Sequence, residues 1–249
     1  MIRPAPAWAL PRCFVHRGGG ALAPENTLAG LRVAALTGFR AVEFDVTLSA
    51  DGTPWLIHDA TLERTTTGHG RVAATPDHVL ASLDAGVRHH PSFAGEPLPT
   101  LAAAAALCRA LALVANVEIK PADGSEATTG ACVAAEIAAL WQGAPLPLVS
   151  SFSFEALLAA RQAVPLLPLA CLWHRPPADW RAQADRLGAF SVHCAAEAVA
   201  EGFLAEAREA GVPVLCYTVN GRELAAQCWS RGVAAVFSDR PDLLARRPS

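Results

Sequence analysis

Hydrophobic and polar positions alternate with a period of two along residues 41–48, AVEFDVTL. Val42, Phe44, Val46 and Leu48 fall on one side and Glu43, Asp45 and Thr47 on the other, the pattern of a β-strand with two unlike faces. Asp51-Gly52 is a turn signal, and Trp55-Leu56-Ile57 reads as a returning strand that ends at His58-Asp59. A two-residue turn sets Leu48 opposite Trp55, Val46 opposite Ile57 and Asp45 opposite His58. That register matches apolar with apolar and polar with polar.

Short apolar runs alternate with helical patterns through the remainder. Core strands are expected to start at residues 13, 41, 113, 146, 166, 189, 213 and 234. Helices are expected near 26–37, 101–111, 126–141, 154–163, 178–187, 198–210 and 221–231, with a short one after Pro241. Asn26 or Thr27 caps the first of them. Residues 60–99 break the rhythm, being rich in Thr, Gly, His and Pro, and are too long for a plain connection. This alternation predicts an α/β fold, a TIM-type (β/α)8 barrel with a small insertion after the second strand; an open doubly wound sheet is the alternative. No linker-like tract interrupts residues 1–249, so one domain is expected, with the insertion at about 60–99.

Composition narrows the function. Net charge is −3 with mixed signs and no basic stripe, which argues against nucleic acid as a partner. Seven cysteines without paired spacing indicate reduced thiols used as core filler, as at Cys13, Cys171 and Cys216. The N-terminal MIRPAPAWALPRC lacks the sustained apolar stretch of a secretory signal. No run approaches the roughly 20 apolar residues that span a bilayer. A cytoplasmic protein without stable membrane association is therefore expected, its oligomeric state left open.

Polar residues interrupt the apolar pattern at the C-terminal ends of the expected strands: His16 and Arg17, Glu43 and Asp45, Glu118 and Lys120, Ser151, His174, His193, Tyr217 and Asn220, Ser238 and Asp239. In a barrel these ends form one mouth. Glu43 and Asp45 stand about 7 Å apart on one strand face. At an effective dielectric near 20 they repel by about 2.4 kcal/mol, so the face needs a cation. Glu118 adds a third carboxylate, giving a hard oxygen site suited to Mg²⁺ or Ca²⁺, with Lys120 beside it for a phosphate oxygen. His16 and His58 are the candidates for proton transfer near neutral pH. Histidines 69, 78, 89 and 90 read as surface residues, and Gly18-Gly19-Gly20 as a turn or an anion contact. Ser151, Trp173, His193 and Tyr217 are candidate pocket wall. No Ser, Thr or Cys sits in a context that marks a nucleophile. Together these groups suit metal-assisted attack on a phosphate ester.

The segments HRGGGALAPENTLAG, VEFDVTLSADGTPWLIHDATLERTTTGHG, LPTLAAAA, NVEIKP, SSFSFEAL, YTVN and FSDRPDLL, in this order, resemble the glycerophosphodiester phosphodiesterase family. The resemblance spans His16 to Leu244 and implies a TIM-type barrel with a small insertion. It implies a divalent metal on Glu43, Asp45 and Glu118, His16 and His58 as general acid and base, and Arg17 and Lys120 meeting the phosphate. The implied reaction converts a small-molecule glycerophosphodiester to glycerol 3-phosphate and an alcohol. Tyr217 replaces the family's usual Trp on the pocket wall. Two readings stand beside it: a related barrel phosphodiesterase acting on phospholipids, which would favour apolar residues at the rim, and a non-catalytic barrel that binds a phosphorylated ligand.

Overall fold

The computed structural model describes residues 9–245. Most of the N-terminal stretch read for a signal lies outside them. Among the described residues nine strands form: β1 (Cys13–Val15), β2 (Ala41–Leu48), β3 (Pro54–Leu56), β4 (Val114–Ile119), β5 (Leu148–Ser151), β6 (Leu169–Trp173), β7 (Ser191–Ala195), β8 (Val214–Tyr217) and β9 (Ala235–Ser238). Eight of them, all but β3, pair in parallel in chain order, and β1 bonds both β2 and β9, which closes a barrel.

Helices α1 (Leu28–Leu36), α2 (Asp77–Leu80), α3 (Leu101–Ala110), α4 (Glu126–Leu140), α5 (Phe154–Ala163), α6 (Trp180–Leu187), α7 (Glu201–Glu209), α8 (Arg222–Ser230) and α9 (Pro241–Leu244) fall between and after the strands. Thr27, not Asn26, caps α1 by accepting from Gly30 N–H, and Thr100 and Ser153 cap α3 and α5 in the same way. Each such cap contributes about 1 kcal/mol. None of the described helices is long and apolar enough to cross a membrane.

Period-two alternation sorts the strands into two cores. Outward residues such as Val42, Phe44 and Val46 join the layer that also holds Leu31, Leu101 and Ile137 of the surrounding helices. Inward residues Phe14, Ala41, Leu148, Ala170, Leu215, Ala235 and Phe237 form a second apolar cluster, with the rings of Phe14 and Phe237 5.3 Å apart. The barrel interior is thus packed rather than open. Polar groups on inward positions further along the same strands stand on this floor.

The hairpin differs from the expected register by one residue. Val46 pairs with Leu56, Thr47 with Trp55 and Leu48 with Pro54. Ser49 N–H donates to Thr53 O at 2.9 Å, and the loop is Ala50-Asp51-Gly52. The tight two-residue turn would need positive φ at both Asp51 and Gly52, and only Gly52 has it, at 82°. Ser49 Oγ accepts from Asp51 N–H at 3.2 Å and Thr53 N–H at 3.1 Å, which holds the longer loop together. Asp45 therefore faces Ile57, whose N–H donates to Asp45 O at 3.2 Å, and not His58.

The insertion packs as a small satellite of its own, around Trp55, Ile57, Leu62, Val72, Leu80 and Leu98. Asp77 ties it to the hairpin by accepting from Trp55 Nε1 at 2.9 Å, and Glu96 ties it to α1 by accepting from Ala29 N–H at 2.8 Å. The histidines at 69, 78, 89 and 90 are exposed, as expected. All seven cysteines are free thiols, and five are buried.

Candidate active site

The inward alternation on each strand decides what the mouth contains. On β2, Ala41 belongs to the floor, and Glu43 and Asp45 follow it at the same phase, 3% and 1% exposed. On β4, Asn116 and Glu118 take that phase, and both Glu43 and Glu118 border a cavity of about 200 Å³. Oxygens of Glu43, Asp45 and Glu118 lie within 4.8 Å of one another. Burial, with Asp45 and Glu118 beside it, pushes the Glu43 carboxyl well above its ordinary range. Burial and Asp45 push Glu118 up to about 7.

Protein partners satisfy these carboxylates only in part. Asn26 clamps Asp45, donating Nδ2–H to Oδ2 at 2.9 Å and accepting the Asp45 N–H at 2.9 Å. Arg17 N–H donates to Glu43 Oε2 at 2.8 Å. Lys120 Nζ lies 3.4 Å from Glu118 Oε1 and 3.8 Å from Asp45 Oδ1. Glu43 Oε1 is buried with no hydrogen-bond partner among the described residues. A buried carboxylate oxygen left bare costs several kcal/mol unless a cation or a proton meets it. Three hard oxygen donors around one point, one of them orphaned, fit a divalent cation.

Two imidazoles border the same cavity. His16 follows β1, and its Nδ1 is 2.6 Å from Asp239 Oδ1, while Nε2 is 3.8 Å from Glu43 Oε2. His58 follows β3, and its Nδ1 is 2.7 Å from Asp59 Oδ1. His58 leaves the ladder after Leu56 and turns into the mouth, so it reaches the site despite the shifted register. Burial lowers its pKa, against the pull of Asp45 and Asp59.

Arg17 is at φ 53°, and its Nη1 donates to Glu25 Oε1 at 3.0 Å. The glycines that follow serve packing. A Cβ on Gly20, at φ +56°, would lie 2.4 Å from Asp239 O. Only glycine lets the loop press against the residue that anchors His16.

Two expected wall residues are elsewhere. Ser151 points outward and donates to Ile119 O at 2.6 Å, while its neighbour Ser150 lines the cavity. Trp173 packs against the helix-side core, and Leu172 takes the cavity position. His193 and Tyr217 do line it. His193 sits 5.1 Å from the Phe237 ring, and burial holds its pKa down to about 3, so it is a neutral floor group. Tyr217 donates to Trp173 O at 3.0 Å and meets Phe152 edge-on at 6.2 Å. Sequence reading also missed Asn116, Phe152 and the Glu25–Arg64–Asp59 cluster. Counting by twos from Glu118 would have found Asn116.

The model of the glycerophosphoryl diester phosphodiesterase family matches residues 16–243. The chain belongs to that family. A glycerophosphodiester phosphodiesterase of Caldanaerobacter subterraneus is 28% identical over 235 residues, covering 93% of this chain and 95% of that one. A solved phosphodiesterase of Oleispira antarctica, in complex with the product sn-glycerol-3-phosphate, is 35% identical with a TM-score of 0.88, over 93% of this chain and 94% of that one. The Agrobacterium tumefaciens glycerophosphodiester phosphodiesterase is 27% identical with a TM-score of 0.79, over 95% and 99%. As a family member the chain is a phosphodiesterase, built on the TIM-type barrel described above.

Proposed function

We propose that this phosphodiesterase hydrolyses small glycerophosphodiesters to glycerol 3-phosphate and an alcohol, with His16 and His58 as the acid–base pair. The observation that carries this is the matched setting of the two imidazoles. Each borders the cavity, each is fixed through Nδ1 by a carboxylate, and each leaves Nε2 without a hydrogen bond among the described residues, that of His16 lying 3.8 Å from Glu43 Oε2. One takes a proton from the attacking hydroxyl while the other gives a proton to the leaving alkoxide. Arg17 and Lys120 meet the phosphate oxygens and stabilise the charge gathered in the transition state. Glu43, Asp45 and Glu118 would hold Mg²⁺ or Ca²⁺, which supplies further positive charge to the phosphoryl oxygens when bound. Two imidazoles in opposite protonation states require a bell-shaped pH profile of kcat/KM.

The phospholipid alternative calls for an apolar rim. Of the residues lining the cavity, Phe152 alone is an exposed large apolar side chain, which favours a small soluble diester. The test is product analysis on a panel of glycerophosphodiesters, with Mg²⁺ or Ca²⁺ and with chelator. His16→Ala and His58→Ala should each cost about 10²–10⁴-fold in kcat/KM. Absence of turnover on every diester with metal added would end this reading.

A further inference from the structure

His58 separates two cavities. The larger lies on the barrel side; the smaller, about 70 Å³, lies between the start of the insertion and the segment after β4. Thr47, Lys120 and Arg71 line the smaller one, and His58 is the residue common to both. Lys120 in turn stands 3.4 Å from Glu118, which lines the larger cavity. A diester with its phosphorus against Lys120 and His58 would send one ester arm into each cavity.

The smaller cavity is cationic in a specific way. Its one acid, Asp59, is already bonded to His58 and to Arg64. Lys120 is shared with Glu118 and Asp45. Arg71 is held only by its backbone, where its carbonyl accepts from Thr75 Oγ1 at 2.8 Å and from Ala74 N–H at 3.1 Å. Arg71 is an exposed residue, and its guanidinium has no ion pair or hydrogen bond among the described residues. Among the described residues no Trp, Tyr or Phe ring lines the cavity to receive an ammonium group. The volume takes about five waters' worth of atoms, the size of a short polar alcohol.

We infer that this second cavity receives the leaving alcohol, and that Arg71 selects alcohols carrying a carboxylate or other anion. The inference rests on the hydrolysis proposed above, with the glycerol arm in the larger cavity, where Asn116 and Ser150 offer hydrogen bonds to its hydroxyls. Arg71 is then a specificity residue, reaching the far end of the leaving group rather than the phosphorus. A free guanidinium presents paired N–H donors that match a carboxylate.

Three diesters of sn-glycerol 3-phosphate test it, with glycolate, ethylene glycol and ethanolamine as leaving alcohols of nearly equal size and different charge. Each is assayed with the full-length enzyme, Arg71→Gln and Arg71→Glu in Mg²⁺ buffer. The wild type should favour glycolate over ethanolamine in kcat/KM by about tenfold, the lower end of what a charge-assisted hydrogen bond supplies. The ratio should fall to near one in Arg71→Gln, invert in Arg71→Glu, and shrink for the wild type at high salt. Because each enzyme serves as its own reference, a change in folded fraction cancels from the ratio. A wild-type ratio near one, or a ratio kept in Arg71→Gln, overturns the assignment while leaving the hydrolysis standing. Cleavage of none of the three removes the hydrolysis and this subsite with it.

Discussion

Arg64 grips both oxygens of Asp59, with Nε 2.5 Å from Oδ2 and Nη2 3.0 Å from Oδ1. The same guanidinium donates to Glu25 at 2.7 and 2.8 Å, and Glu25 accepts from Arg17 at 3.0 Å. A residue of the insertion thus fixes the partner of His58 and the partner of Arg17 at once. The Arg64 bond holds the Asp59 carboxyl well below the usual carboxylate range, so it stays an acceptor for His58 Nδ1–H.

Asp59→Asn leaves the shape and removes the charge that fixes the imidazole tautomer. Its kcat/KM should fall by about 10²-fold, the lower end for a positioned proton-transfer group, with the pH profile displaced. Arg64→Ala should lower kcat and raise KM together, since both His58 and Arg17 lose support. Melting curves should barely move, because these are partly exposed ion pairs worth about 1 kcal/mol or less. Wild-type kinetics in Asp59→Asn would show that His58 needs no anchor.

The legible and illegible parts of this chain divide on physical grounds. The barrel was readable because eight apolar runs recur with helical spacers of the right length, and their starts fall within three residues of the observed strands. β2 was readable down to its faces because Glu43 and Asp45 mark one of them. LVSS of β5 and LACLW of β6 carry no such mark, being apolar or small on both faces, so their phase was hidden. Ser151 was therefore taken for Ser150, and Trp173 for Leu172. The hairpin slipped by one because Ser49 holds a longer loop, a side-chain effect that the Asp-Gly signal does not report. Glu25, Arg64 and Asp59 meet only through the fold.

A divalent cation held by the carboxylate trio would couple pH to metal binding. Burial first, then like charge, raises Glu43 and Glu118 above their unfolded pKa values. An acid raised in the folded state costs stability above its unfolded pKa, and the cost grows until pH passes the folded one. For Glu118 that window runs from about 4.5 to about 7. Adding Mg²⁺ to chelated protein should therefore raise the melting temperature more at about pH 8 than at about pH 6. Glu43→Gln should shrink that gain. An equal gain at both pH values would separate the metal from these carboxylates.

His193 titrates the other way. Burial holds its folded pKa near 3, whereas the unfolded chain takes up a proton at about 6.5. A histidine lowered in the folded state loses stability as pH falls below 6.5, by up to about 1.4 kcal/mol per pH unit until 3 is reached. His193→Gln cannot protonate, so its unfolding midpoint in urea should decline less than the wild type's between about pH 6 and pH 4. Parallel declines would show that His193 protonates in place.

Ser151 is committed to Ile119 O, and Ser238 donates to Asn220 Oδ1 at 3.3 Å, so neither marks itself as a nucleophile. Ser150 lines the cavity, but it accepts from Asn116 Nδ2, and among the described residues no histidine is bonded to it. Water and the substrate's own glycerol hydroxyl remain. The hydroxyl beside the phosphorylated carbon is tethered within reach of phosphorus, and such groups attain effective molarities of about 10⁵–10⁸ M. The expected route is attack by that hydroxyl oxygen on phosphorus. One histidine accepts its proton and the other protonates the departing alkoxide as the P–O bond breaks. The cyclic phosphate is then opened by water, with the two imidazoles exchanging roles. A diester whose glycerol lacks that hydroxyl, with the leaving alcohol unchanged, should bind as a competitive inhibitor and turn over at least about 10³-fold more slowly, since it forfeits the tethered attack. Cleavage of this analogue at the ordinary rate would show direct attack by water, and the cyclic intermediate would drop out of the mechanism.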